Sequence, residues 1–182
     1  MPTPVAHSFA GTTIALLASR GVPIDGKLLA GSVVAACFAD VDFGISFLIG
    51  RNVHHYFTHS LGFTLLFAGA AYLLARAFGR NRPGFDALIL GVSYLSHVLL
   101  DMLSTDTAAP YGLELFWPLS GEFYISPVLV FDDIWRGTLA KLLGLHNWLA
   151  VGREVLVVGP PTALAFFWWR SQRALSRARS SP

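Results

Sequence analysis

The chain has 182 residues, 54% of them hydrophobic and 13% charged, with 13 Lys and Arg against 11 Asp and Glu. Soluble domains carry about 25% charged residues, so this composition excludes an ordinary water-soluble domain and points to a membrane protein or an unusually apolar small one. The formal net charge of +2 selects no partner by itself, and the single cysteine, Cys37, excludes intrachain disulfides.

Taken in chain order, residues 7–19 (HSFAGTTIALLAS) form an apolar segment that is short for a full crossing and is opened by His7. No basic residue precedes it, which argues against a cleaved signal peptide. Residues 28–50 are long enough to cross, yet Asp40 and Asp42 fall inside them. A charge at the bilayer centre costs about 2.5–3.5 kcal/mol on insertion scales. Either a helix ends near Ala39 or the aspartates face a polar cavity. Segments 61–79, 85–103 and 153–169 approach the roughly 17–25 apolar residues that a crossing needs, and they are predicted to be membrane helices. Pro160 and Pro161 predict a kink in the last of these, which membrane helices tolerate. Trp168, Trp169 and Arg170 end it as an interfacial anchor. The domain division is 1–170 for a single helical membrane domain and 171–182 for a basic tail. Four arginines directly after a span suit lipid headgroups better than nucleic acid.

The basic residues divide by side. Arg20, Lys27, Arg76, Arg80, Arg82, Arg170, Arg173, Arg177 and Arg179 occupy alternate connections and the tail. Arg51, Arg136, Lys141 and Arg153 occupy the others, so the 13 basic residues split nine to four. By the positive-inside rule this predicts a multi-pass bundle with an even number of crossings and a cytoplasmic C-terminus. His7, Asp40, Asp42, His54, His55, His59, His97 and Asp101 then share the extracytoplasmic face.

These residues carry the chemistry. In SHVLLD, His97 and Asp101 stand at i and i+4, on one helix face and close enough to share an ion. Imidazole nitrogen and carboxylate oxygen are ligands for zinc-like metals. Three of the six histidines lie in RNVHHYFTHS, residues 51–60. On one helix His54 and His59 would diverge by about 140°, so His54 is placed in an approach loop and His59 near a helix start, with Thr58 or Ser60 as N-cap. Asp40 and Asp42, at i and i+2, align in an extended segment and diverge on a helix. One could ligate a metal while the other orients a histidine or deprotonates water. His7, with Gly11 one turn later, reads as a ligand on a closely packed helix. Arg51, beside the histidines, is a candidate phosphate contact or headgroup anchor. Residues 110–120 and 123–135, rich in aromatics, are candidates to wall a lipid-accessible groove.

The ordered set HSFAG, DVD, HHYFTHS, SHVLLD and YGLELFWPLS resembles the YdjM-like membrane-bound metal-dependent hydrolases, from His7 to Ser120. The resemblance implies a bacterial inner-membrane location and the ligands His7, one aspartate of 40 and 42, His54, His59, His97 and Asp101. That family usually has a proline where Ala39 stands and an arginine where His55 stands, so His55 reads as a substituted non-ligand. A more distant similarity, carried by HVLLD and an early histidine, is to zinc-dependent phospholipases C.

The expected molecule is therefore all-α, a polytopic membrane helical bundle with an interfacial metal site. It would be a metal-dependent hydrolase that uses one or two divalent ions, most simply zinc, and Asp42 or Asp40 as the proton acceptor. Its substrate would be an amphiphilic or lipid phosphoester reached from the bilayer, and no nucleic-acid partner is expected. The competing reading is a non-enzymatic membrane protein, either a divalent-metal carrier or a structural His/Asp bundle.

Overall fold

The computed structural model describes residues 1–20, 25–107 and 109–180. Among them there are seven α-helices and no strand beyond isolated bridges. Helix α1 (Pro4–Ala18) begins on Thr3, whose side chain accepts the Val5 N–H, with Pro4 at its first position; proline is suited to that position because its missing N–H would be unpaired there anyway. Helix α2 (Gly26–Cys37) is capped by Asp25, and a 3-10 turn, Phe38–Asp40, joins it to α3 (Val41–Ile49). Gly50, in the left-handed region at φ 65°, ends α3. Ser60 caps α4 (Leu61–Ala77) by accepting the Phe63 N–H at 3.0 Å. Helix α5 (Pro83–Met102) carries the SHVLLD sequence in its last turns. A short α6 (Leu139–Leu142) precedes α7 (Leu145–Ser180), which runs through Pro160 and Pro161.

Three helical runs are long and apolar enough to cross a membrane: Gly26–Ile49, Pro83–Met102 and Leu139–Ser176. The first is long enough only because α2, the 3-10 turn and α3 follow one another without a break, so the two aspartates lie inside a continuous helical run rather than after its end. Helices α1 and α4 are apolar but shorter, with 15 and 17 residues.

Small residues set the packing. A Cβ on Gly11 would lie 2.5 Å from the Ser32 carbonyl oxygen, so α1 and α2 approach backbone to backbone. Gly91 of α5 meets the Ala68 Cβ of α4 in the same way. At one end of α7 the buried Glu154 accepts the Thr3 N–H at 2.8 Å, and further along the Thr13 and Thr162 hydroxyls bond at 2.8 Å. Helices α1 and α7 therefore run parallel. His97 of α5 reaches the Ala36 carbonyl of α2, and Gly31 faces Leu90, so α2 and α5 are parallel too. The packed bundle is thus built from three candidate spans and the two shorter apolar helices α1 and α4.

At the α5 C-terminus the chain enters a segment that is irregular over its described residues, 103–107 and 109–138, and closed on itself by paired backbone bonds between Leu113 and Tyr124 (2.9 and 2.8 Å). It caps the histidine end of the bundle, where Glu114 N–H donates to the His55 carbonyl (3.0 Å) and Leu61 N–H to the Leu115 carbonyl (2.9 Å). The opposite end holds Arg80, paired with Asp25 and Asp86. The side chains of Arg177 and Arg179 lie outside the described residues.

Candidate metal centre

Each ligand-type side chain reaches the centre for a local reason. His97 and Asp101 share the inner face of α5, one turn apart. His59 ends a 3-10 turn, Phe57–His59, which Tyr94 holds by donating its hydroxyl to the Thr58 carbonyl at 2.6 Å. His7 comes from the first turns of α1 and stacks on His97, with ring centroids 3.8 Å apart and planes at 17°. Asp40 ends the 3-10 turn after α2, and Asp42 lies in the first turn of α3. His7, His59 and His97 are each 0% exposed, and Asp101 is 3% exposed. Burial of so many ionisable groups is costly unless they are paired or bind a metal.

The hydrogen bonds determine which nitrogen faces inward. His97 Nδ1 donates to the Ala36 carbonyl at 2.7 Å, and a carbonyl can only accept. His59 Nδ1 lies 3.1 Å from Asp42 Oδ2, a carboxylate oxygen that also accepts the Thr58 hydroxyl at 2.8 Å. Both imidazoles thus spend their Nδ1 hydrogens outward, and their Nε2 atoms face each other at 3.1 Å. Asp101 Oδ2 lies 3.2 Å from each of these nitrogens, and Asp40 Oδ1 lies 3.7 Å from His97 Nε2. Two lone pairs among carboxylates need a positive charge between them, either a proton or a metal ion.

The donor set fits a metal. Tetrahedral ligands bound at about 2.0–2.2 Å stand about 3.3–3.6 Å from one another, close to the separations just given. One ligand atom each from Asp40, His59, His97 and Asp101 falls within 4.8 Å of the others. Both Asp101 oxygens, Asp40 Oδ1 and His7 Nδ1 and Nε2 are buried without an aligned hydrogen-bond partner. His7 Nε2 lies 3.4 Å from Asp101 Oδ1, within ion-pair distance. Behind His59, Asp42 stands where a carboxylate can orient an imidazole for a metal.

His54 sits one layer out. Its Nδ1 lies 2.8 Å from Asp42 Oδ1, and its Nε2 lies against the Met1 thioether. Burial pushes its pKa down to about 4 despite the Asp42 hydrogen bond. For His59 burial also acts downward, but the Asp101 and Asp42 carboxylates outweigh it and raise the pKa to about 9. The carboxylates around His59 thus favour its charged form, while burial favours a neutral His54.

Asp40 and Asp42 do not align as an extended segment would align them. The helical turn sends Asp40 toward His97 and Asp42 toward His54 and His59. His55, passed over from the sequence, joins the cluster. Its Nδ1 is 3.2 Å from Asp106 Oδ2, and its Nε2, buried and without a hydrogen-bond partner, is 4.0 Å from Asp101 Oδ2. One donor atom each from His54, His55 and His59 also converges within 4.8 Å. The backbone of His55 has φ 70°, a left-handed conformation uncommon outside glycine. No sequence pattern announces that conformation. Arg51 is exposed just beyond α3, its N–H on the Ser46 carbonyl at 3.2 Å, and it does not line the cavity beside the histidines.

Comparison with known proteins gives a consistent result. The chain matches the family described as YdjM inner membrane protein over residues 1–174. It is 32% identical to "Inner membrane protein YbcI" of Escherichia coli (strain K12), an alignment that covers 93% of this chain and 99% of the relative. No solved structure matches it.

Proposed function

From the premise that the chain belongs to the YdjM inner membrane protein family, we propose that it is a membrane-bound metal-dependent hydrolase acting on a phosphoester of an amphiphilic or lipid substrate. The observation that carries this reading is the pair of inward Nε2 atoms of His59 and His97, 3.1 Å apart beside Asp101 and Asp40. His59, His97 and Asp101 would hold the ion, with His7 beside Asp101 and Asp40 at the edge of the site, and the mixed nitrogen and oxygen donors favour zinc. When bound, zinc supplies Lewis acidity and brings the pKa of its water to about 7.

The remaining work belongs to the chain. Asp42 holds His59 and His54 in the required tautomers through Nδ1, and Thr58 anchors Asp42. Both Asp42 oxygens are thereby engaged. Asp40 Oδ1 has no hydrogen-bond partner, which makes Asp40 the better proton acceptor of the two. The basic residues at the far end of the bundle support an extracytoplasmic site and a cytoplasmic C-terminus, with residues 171–182 as a headgroup-binding tail. A carrier would set its ligands near mid-bilayer, open to both sides. Here α5 contributes His97 and Asp101 from its last turns, which favours hydrolysis at one face.

The test is metal analysis of purified wild type, His59→Ala and Asp101→Ala, together with phosphate or headgroup release from lipid vesicles. Wild type is expected to carry metal and both variants to lose it along with activity. A metal-free wild type that takes up none on incubation with zinc would sink the reading.

A further inference from the structure

Beside His54 and His55 the bundle opens into a cavity of about 570 Å³. Two cations line it, Arg136 and Lys141. Among the described residues neither forms an ion pair with a carboxylate, in contrast to Arg80 and Arg153, which pair with Asp25, Asp86 and Asp132. The two acids on the cavity wall are already engaged. Asp106 accepts from the Gly112 N–H (2.9 Å) and lies against His55, while Asp133 accepts from the Thr107 hydroxyl (3.0 Å) and lies 3.3 Å from His146 Nε2. The uncommitted charge of the cavity is therefore positive.

The position of Arg136 is fixed by aromatic stacking. Its guanidinium carbon lies 4.5 Å from the centroid of the Phe43 ring, and that ring stacks on His54 at 3.9 Å. One aromatic ring thus separates the guanidinium from the histidine cluster. Lys141 comes from α6, whose other residues face outward: Leu139 is 71% exposed and Leu142 is 49% exposed, and Leu143 follows at 58%. A short helix that exposes leucines on one side and turns a lysine into a polar cavity suits the boundary between lipid and headgroup.

We propose that Arg136 and Lys141 form a subsite for the phosphate of an anionic membrane lipid, which enters this cavity past α6 and lies beside His54 and His55. The inference rests on the hydrolase reading for its purpose and on the cavity alone for its geometry. A planar guanidinium gives two parallel bonds to a phosphate, and an ammonium adds a point charge. The acyl chains would remain against the exposed leucines, in the bilayer.

Binding of dioctanoyl phosphatidic acid to the full chain in neutral detergent micelles tests this, with metal content measured on the same samples. Wild type should bind the lipid, and Arg136→Gln/Lys141→Gln should weaken binding by about tenfold or more with unchanged metal content and melting temperature. Arg82→Gln, at the opposite end of the bundle, should bind as wild type does. The single variants Arg136→Gln and Lys141→Gln should each show part of the loss, which keeps the test decisive if the double variant misfolds. Equal affinity of variant and wild type, or equal binding of dioctanoylglycerol, overturns the subsite. Displacement by inorganic phosphate at the lipid's own concentration assigns the site to a soluble anion and overturns the lipid assignment. A metal-free wild type that still binds phosphatidic acid through these cations refutes the hydrolase reading alone. A metal-loaded protein with no charge-dependent binding refutes the subsite alone.

Discussion

His59 and His97 direct their Nε2 atoms at each other across 3.1 Å while Asp42 and the Ala36 carbonyl occupy their Nδ1 atoms. Neither imidazole can relieve the contact by changing tautomer without giving up a buried hydrogen bond. The pair is thus preorganised for a cation before one arrives, and the consequences can be measured.

Asp42→Asn should leave the ligand atoms in place but weaken their orientation. An amide still accepts from one neighbour, yet it cannot supply the negative charge shared by His59, His54 and Thr58. Loss of such an orienting partner costs about 10–100-fold in metal affinity. Competition with a chromogenic chelator reads this directly, and unchanged affinity would remove Asp42 from the orienting role.

Metal uptake should be strongly pH-dependent. His59 is raised to about 9 in the metal-free protein, so below that pH its inward nitrogen holds a proton that the metal must displace. Apparent affinity is expected to rise by about tenfold for each pH unit up to about 9 and then to level off. The same shift works the other way on the stability of the metal-free fold. A raised pKa stabilises fully below the ordinary histidine value of about 6.5, and that contribution is lost as pH rises through about 9. Flat affinity from pH 6 to 9 would contradict the assignment.

Gly11→Val should destabilise the bundle. Even the Cβ alone would stand 2.5 Å from the Ser32 carbonyl oxygen, so α1 must move away from α2 and carry His7 with it. Overpacking of this kind costs about 1–3 kcal/mol. A lowered melting temperature with reduced metal retention is expected. Gly69→Val, where a Cβ has open space, is the control.

At position 55 backbone and side chain make opposite demands. His55→Gly relieves the left-handed φ of 70°, so it should be more stable than His55→Ala by about 1 kcal/mol. Both variants lose the imidazole that lies between Asp106 and Asp101. Equal melting temperatures for the two would show that His55 carries no backbone strain.

Local spacing was enough to pair His97 with Asp101, because i and i+4 share a helix face whatever surrounds them. The cap of α4 was legible only to within two residues, Thr58 or Ser60, and Ser60 is the one that caps it. The paths of Asp40 and Asp42 were not, since one tight turn decides whether two carboxylates align or part, and their sequence permits both. His55 was hidden for a related reason: its place follows from a positive φ held by Asp106 and Glu114, which lie more than fifty residues away. Arg136 and Lys141 fall in or next to an irregular segment whose course is set by the helices it caps, so no periodicity marks them as facing a cavity. The charge pattern was legible too: Arg80 lies at the end of the bundle opposite the histidines, as its place among the basic connections predicts.

The tie between Thr3 and Glu154 spans 151 positions of the chain. It fastens the start of the helix that carries His7 to a helix synthesised much later. During synthesis His7 therefore lacks its final mooring until α7 has entered the bilayer. A chain stalled before that point would hold His7 loosely against Asp101 and would grip a metal more weakly. Metal occupancy would then report that α7 has joined α1.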